Sequence, residues 1–203
     1  IPIARKTGPS GRVVAVEGNP RTFALLQQNI RLSDATEICT PFNTIVATDS
    51  VSFRLVEDQR NTGASYFEPG PSTDQSMANG RSLAFFVQSC FVPRLIKLDI
   101  EGFEYGVLSS MPLADIANPI LFVEVSANHS VRAQSHPKEL ELLLRGQGYR
   151  FFWNRNKSHA HDDVFSVTEI QSFEEMLTDR LQFTTLAVHE AADRLPAIES
   201  ACV

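Results

Sequence analysis

The sequence has few cysteines, no basic run and no long hydrophobic stretch, and each shortage excludes a class of protein. Its three cysteines, Cys39, Cys90 and Cys202, are scattered, odd in number and without zinc-type spacing, which argues against a disulfide framework and favours a reducing, cytoplasmic location. The 18 Lys and Arg residues are outnumbered by 24 Asp and Glu residues, so the net charge of −6 disfavours a nucleic-acid partner. No apolar stretch is long enough to suggest a membrane span.

The bulk composition is that of an ordinary globular protein. With 203 residues, of which 43% are hydrophobic, the chain can bury a sizeable core, and we expect residues 1–203 to form a single domain. The opening stretch "IPIARKTGPSGR" lacks the apolar segment of a signal peptide and has the character of a helix end. We therefore expect a domain that is truncated at its N-terminus.

Buried strands that end in acidic residues alternate with helices. "RVVAVEGNP" predicts a strand that ends at Glu17, followed by a helix with Asn19 as N-cap and Pro20 at its first position. "RLIKLDI" leads through Asp99 into a turn and a helix, and "PILFVEVS" carries Glu124 near its end. This alternation predicts a parallel α/β sheet, in which ligands bind at the carboxyl ends of the strands.

The remaining stretches give less specific patterns. We expect strands at 42–48 and 50–58, the latter as a hairpin arm, a loop over 61–80, an amphipathic helix over 137–149, and closing strands at "YRFFW" and 183–190. The apolar stretch 82–92 suits a strand or a helix equally.

Four segments, in this order and spacing, resemble the FkbM family of S-adenosylmethionine-dependent methyltransferases. They are "GRVVAVEGNP…LLQQNI", "NTGASYF", "LIKLDIEGFEYGVL" and "ILFVEVS". The resemblance implies a three-layer, Rossmann-like class I methyltransferase sheet, mostly parallel with an antiparallel last strand. It also implies methyl transfer from S-adenosylmethionine to a hydroxyl of a small molecule or glycan. The family's first strand and glycine-rich loop would precede this chain, so it implies an upstream segment as well.

The same resemblance assigns cofactor-binding roles to the ends of the strands. Glu17 would accept the ribose hydroxyls, as a strand-end acid does in dinucleotide folds, with Gly18 and Asn19 along the sugar. Ala47 and Thr48 would flank the adenine, with Asp49 as an acceptor for its amino group. Asp99 would lie near the methionine end of the cofactor, where it would hold the ammonium group, orient the acceptor or contribute to a metal site.

The candidate catalytic residues are Asp99, Glu101 and Glu124. A hydroxyl must lose its proton as it is methylated, so a positioned base or a bound metal is useful, and alignment of acceptor, methyl and sulfur supplies much of the rest. We assign no metal site. "HAHDD" (159–163) has metal-ligand residue types, but its polar surroundings favour a solvated surface. His129 and His136 are further candidate bases, or surface histidines.

Structural alternatives accompany these assignments. Glu17 could cap the helix that follows it, and Glu101 with Gly102 could simply form the turn. Lys97 is expected to belong to a buried network, paired with an acid on the adjacent strand. The "NTGAS" loop (61–65) could be a plain polar loop or could close over a site.

Two other functions fit parts of the pattern. A strand-end acid also suits an NAD-dependent Rossmann oxidoreductase, although that fold does not call for Lys-x-Asp-x-Glu-Gly. A methyltransferase-like binding module without catalysis is the third possibility. Glu17 and Asp99 argue against it, and the missing glycine loop argues for it.

Overall fold

The computed structural model describes residues 1–48, 52–56, 66–70, 77–127, 136–154, 167–178 and 181–192. Within these ranges the chain is mixed α/β, as predicted, and it divides into two compact units, Ile1–Cys90 and Phe91–Val203. Asp49, "NTGAS", His129, "HAHDD" and Cys202 lie outside the described residues. Among the helices of these ranges, none has the length and apolar character that crossing a bilayer requires.

The first unit contains a two-stranded and a four-stranded sheet. Its elements are α1 (Pro2–Thr7), β1 (Val13–Val16), α2 (Pro20–Leu32), β2 (Cys39–Phe42), β3 (Ile45–Val46), β4 (Ser52–Val56), β5 (Tyr66–Pro69), β6 (Met77–Arg81) and α3 (Leu83–Ser89). β1 pairs in parallel with β2. The other sheet has the order β3-β6-β4-β5, with β3 and β6 parallel and the β4–β5 hairpin antiparallel.

Side-chain caps begin two helices of this unit, α2 and α3. The Asn19 side chain accepts a hydrogen bond from the Arg21 backbone N–H at 2.9 Å, and Pro20 occupies the first turn of α2, as predicted. The Ser82 hydroxyl accepts from the Phe85 N–H at 3.3 Å and begins α3. This cap resolves the ambiguity of residues 82–92 in favour of a helix.

Two boundary predictions for the first unit were wrong. The strand predicted at 42–48 is broken, because the chain pairs with β1 only through Phe42 and then forms β3 against a different partner. The loop predicted over 61–80 contains the strands β5 and β6. The polar composition of residues 61–80 gives no strand signal, because β5 and β6 form by pairing with β4, a long-range effect that local propensity does not report.

The second unit is built around one five-stranded sheet. Its elements are β7 (Leu95–Leu98), α4 (Glu104–Ser109), a 3-10 helix (Leu113–Ile116), β8 (Ile120–Ser126), α5 (Pro137–Gly146), β9 (Tyr149–Asn154), β10 (Val167–Ile170), α6 (Phe173–Thr178) and β11 (Gln182–His189). The order is β10-β9-β11-β8-β7, with β7 and β8 parallel. β11, the last strand, runs antiparallel to both β8 and β9, and β10 runs antiparallel to β9. Three of the four pairings in this sheet are therefore antiparallel, unlike the mostly parallel sheet that was predicted.

Alternation along β8 separates its core residues from its outward-facing ones. Leu121, Val123 and Val125 are buried on one face, and each such side chain contributes about 1.5–3 kcal/mol. Phe122 and Glu124 alternate with them and are less buried. Core packing on one face of β8 therefore fixes the position of Glu124 on the other face.

Candidate functional site

Three acidic residues lie close together near the carboxyl ends of β7 and β8 in the second unit. Leu98 pairs in parallel register with Val123, so the residues that follow each of them, Asp99 and Glu124, lie at the same edge. Carboxylate oxygens of Asp99, Glu101 and Glu124 all lie within 4.8 Å of one another. We call these three residues the acid cluster. Its members are the three catalytic candidates of the sequence analysis.

The turn between β7 and α4 delivers two members of the cluster. Glu101 has φ 58° and Gly102 has φ 106°, so two consecutive residues adopt the left-handed region. Such a conformation is unfavourable for a residue with a side chain and favours glycine. The Glu104 carboxylate accepts a 2.9 Å hydrogen bond from the Ile100 N–H and thereby bridges this turn.

Burial and like charge act on the carboxyl groups at this edge. The pKa of Glu124 is raised to about 7, first by burial and then by the charge of Asp99, a hydrogen bond with Asp99 and the charges of Glu101 and Glu104. Burial also raises the pKa of Glu104, while hydrogen bonds with the backbone of Ile100, Gly102 and Glu104 itself oppose that rise. Glu124 is therefore placed to exchange a proton near neutral pH.

Lys97 differs from its predicted role. The sequence analysis placed it in a buried network with an acid on the adjacent strand. Its ammonium group instead lies 2.6 Å from a carboxylate oxygen of Asp99 on its own chain segment, and both side chains are about half exposed. Alternation explains the pairing, because residues 97 and 99 point to the same side of the chain.

The acid cluster offers two kinds of chemistry. A carboxylate whose pKa is near 7 can accept a proton from a hydroxyl. Carboxylate oxygens at this spacing can also share one divalent cation. Exposed acids group in this way without an ion as well, so the absence of a metal site stays a prediction.

The first unit holds the predicted ribose-binding residues together at the end of β1. A Glu17 carboxylate oxygen accepts the Asn19 N–H at 2.7 Å, and Asn19 is itself buried. The helix-capping alternative for Glu17 thus describes a real contact, and the same contact orients the carboxylate. The Asn43 side-chain amide donates to the backbone oxygens of Glu17 at 2.8 Å and Gly18 at 3.2 Å.

Gly18 lies in a confined position next to these residues. A Cβ atom added to it would be 2.7 Å from the Phe67 ring and 2.9 Å from the Ile45 side chain. The candidates for the adenine lie just beyond Ile45: Ala47 is buried and donates its N–H to the Arg81 backbone oxygen at 2.9 Å, whereas Thr48 is exposed. Gly18 therefore allows close approach of Phe67 to the backbone that follows Glu17.

His136 has a structural role. Its Nδ1 accepts a hydrogen bond from the Lys138 N–H at 3.2 Å, and the Glu139 carboxylate accepts from the His136 N–H at 2.8 Å. This reciprocal pair is a capping box at the start of α5. It favours the surface-histidine alternative over the catalytic one.

Sequence reasoning missed two residues of these sites, Asn43 and Glu104. Asn43 follows a strand, where an amide that bonds backbone groups of another segment is a common element of loops, but nothing local names its partner. Glu104 is three residues after Glu101 in "EGFE", a spacing that a helix start explains without a site.

Comparison with known proteins supports one family. The family model for the methyltransferase FkbM domain matches residues 2–151, which is more than half of the 203-residue chain. The matched stretch contains Glu17 and Asn43 in the first unit and the whole acid cluster in the second. No curated protein and no solved structure matches the chain.

Proposed function

Because the chain belongs to the FkbM methyltransferase family, we propose that it transfers the methyl group of S-adenosylmethionine to a hydroxyl of a small molecule or glycan. The observation that carries this proposal is the acid cluster, in which Glu124 has a pKa of about 7 beside Asp99. A hydroxyl oxygen must lose its proton when it is methylated, and Glu124 can accept a proton at neutral pH.

S-adenosylmethionine would supply an electrophilic methyl group bound to a sulfonium. The residues of the first unit suit its adenosine part, because the Glu17 carboxylate is oriented by the Asn19 N–H and its backbone is held by Asn43. We propose that Glu17 accepts the ribose hydroxyls, with Gly18 and Asn19 along the sugar. Ala47 and Thr48 are the proposed neighbours of the adenine.

In the second unit, we propose that Asp99, Glu101 and Glu124 act on the acceptor hydroxyl. Glu124 receives the proton of the acceptor oxygen as the new carbon–oxygen bond forms and the carbon–sulfur bond breaks. Glu101 and Asp99 hold the acceptor in line, and their charges add to burial in keeping the pKa of Glu124 high enough for this transfer.

Three broader expectations accompany this function. They are a single methyltransferase domain over residues 1–203, a three-layer class I sheet and a cytoplasmic location. The parallel β7–β8 pair and the antiparallel β11 are consistent with such a sheet.

Transfer of a labelled methyl group tests the reaction type. The protein is incubated with S-adenosylmethionine labelled in its methyl group and with a panel of hydroxyl-bearing small molecules and glycans, and products are located by mass spectrometry. We expect a methyl ether whose formation falls in Glu124→Gln and not in Glu175→Gln, which removes an exposed acid of the same unit. Label on nitrogen or carbon, or a fully active Glu124→Gln variant, would contradict the proposal.

A further inference from the structure

The turn that carries the acid cluster is held in an unfavourable conformation. Glu101 lies at φ 58°, in a region that is unfavourable for a residue with a side chain, and Gly102 follows at φ 106°. A conformation of this kind persists only where surrounding contacts enforce it.

Glu104 makes the contact that spans the turn. Its side chain is buried, with the residue only 5% exposed, and its carboxylate accepts the Ile100 N–H at 2.9 Å. Ile100 lies between Asp99 and Glu101 in the chain, so this hydrogen bond fixes the backbone that joins two members of the acid cluster.

A simple helix cap does not account for this arrangement. α4 begins at Glu104 itself, and its N-cap residue, Phe103, makes no side-chain capping bond. The carboxylate reaches back four residues to Ile100, on the far side of the left-handed pair. A buried carboxylate is costly unless a hydrogen-bond donor satisfies it, and here the donor is the Ile100 N–H at the start of the turn.

We propose that Glu104 is a positioning residue, whose buried carboxylate holds the Glu101–Gly102 turn so that Asp99 and Glu101 meet Glu124. Its effect on catalysis rests on the proposed function, whereas its effect on the geometry of the acid cluster does not. Glu104 acts through its hydrogen bond with the Ile100 N–H, so its side chain must be long enough to make that bond.

Three substitutions of Glu104 separate the effect of side-chain length from the effect of its charge. Glu104→Asp keeps the acid but withdraws it by one methylene, Glu104→Gln keeps the length and an oxygen acceptor, and Glu104→Leu keeps the approximate volume without an acceptor. We expect Asp and Leu to lower kcat by about 10- to 100-fold, because misplacement of reacting groups by roughly 1 Å has effects of this size. Gln should stay closer to wild type, and KM for S-adenosylmethionine should change little in all three.

Glu141 provides a matched control. It is also a buried glutamate of the second unit whose carboxylate accepts a backbone N–H, that of Phe173 at 2.8 Å, and it is paired with Arg145. Glu141→Asp, →Gln and →Leu should lower the free energy of unfolding without the selective loss of kcat. Each rate is divided by the concentration of folded protein, which denaturant titration establishes for every variant.

Crystal structures of the variants give a readout that needs no activity. In Glu104→Asp we expect Glu101 to leave the left-handed region and the carboxylate oxygens of the acid cluster to separate beyond 4.8 Å. A folded Glu104→Asp variant with an unchanged turn and wild-type kcat would overturn the proposal. If wild-type protein transfers no methyl group, the proposed function fails, and the structures alone still decide the role of Glu104.

Discussion

The side-chain amide of Asn43 donates a 2.8 Å hydrogen bond to the backbone oxygen of Glu17. It also bonds the Gly18 oxygen at 3.2 Å, so one amide fixes the two peptide units at the end of β1. The residue just after β2 therefore holds the acid at the end of β1 in place, across the parallel pair that joins the two strands.

Replacing Asn43 by leucine should weaken binding of S-adenosylhomocysteine by up to about 30-fold, because two hydrogen bonds worth roughly 1 kcal/mol each orient Glu17. Calorimetric titration measures this change. Asn29→Leu, at an exposed position of α2, removes an amide without a role at this site and should bind normally. Equal affinity of the Asn43 and Asn29 variants would show that the amide does not position Glu17.

Glu124→Gln should stabilise the protein at pH 8 and have little effect near pH 4. The pKa of Glu124 is raised from an ordinary value near 4.5 to about 7 in the folded protein. The ionised form of Glu124 is therefore less favourable in the folded protein than in the unfolded one. The resulting loss of stability is small below pH 4.5, grows as the pH rises and is complete above pH 7. Denaturant titrations across this range measure the difference in the free energy of unfolding.

The control for this experiment is Glu175→Gln, which removes an exposed acid from α6. It should shift stability by a similar small amount at every pH. A Glu124→Gln variant whose stability difference from wild type is constant from pH 4 to pH 8 would contradict the raised pKa of Glu124.

Gly18→Ala should destabilise the first unit by about 1–3 kcal/mol, the usual range for an added methyl group in a packed site. The new Cβ would lie 2.7 Å from the Phe67 ring. Chemical denaturation measures the loss. A double variant with Phe67→Leu should recover part of it, while Gly146→Ala, which meets nothing within 4 Å, serves as the control. No recovery in the double variant would mean that Phe67 is not the obstacle.

Tyr149→Phe should lower the free energy of unfolding by about 1–2 kcal/mol, since it leaves a buried carbonyl without its donor. The Tyr149 hydroxyl donates to the Pro119 backbone oxygen at 2.9 Å, and burial raises the pKa of this tyrosine. Thermal and denaturant unfolding measure the effect. Tyr105→Phe is the control at a half-buried position, and an equally small effect in both would contradict the assigned hydrogen bond.

The sequence predicted those parts of the fold that local chemistry determines. Asn19 and Pro20 start α2 because a side-chain acceptor and a fixed φ act over two or three residues. The acids at the ends of β1 and β7 were predicted for the same reason, since an apolar run that stops at a carboxylate marks a strand end. The rule for parallel strands pointed to Glu17, Asp99 and Glu124 as strand-end acids, and the structure brings Asp99 and Glu124 together with Glu101.

The errors concern strand pairing, side-chain exposure and backbone conformation. β5 and β6 lie in a stretch of weak strand propensity and exist because they pair with β4. The partner of Lys97 was misplaced because the exposed outer face of β7 lets the ammonium group reach Asp99 in solvent. Glu104 was overlooked because only Gly102 indicates in the sequence the left-handed turn that Glu104 bridges.

Calorimetric titration of the chain with S-adenosylhomocysteine tests the central claim most directly. We predict micromolar binding that is lost in Glu17→Ala, retained in Glu37→Ala, which removes an exposed acid from the same unit, and absent when NAD replaces the ligand. Absence of binding by a demonstrably folded chain, or equal binding of NAD, would contradict the assignment of S-adenosylmethionine as the cofactor.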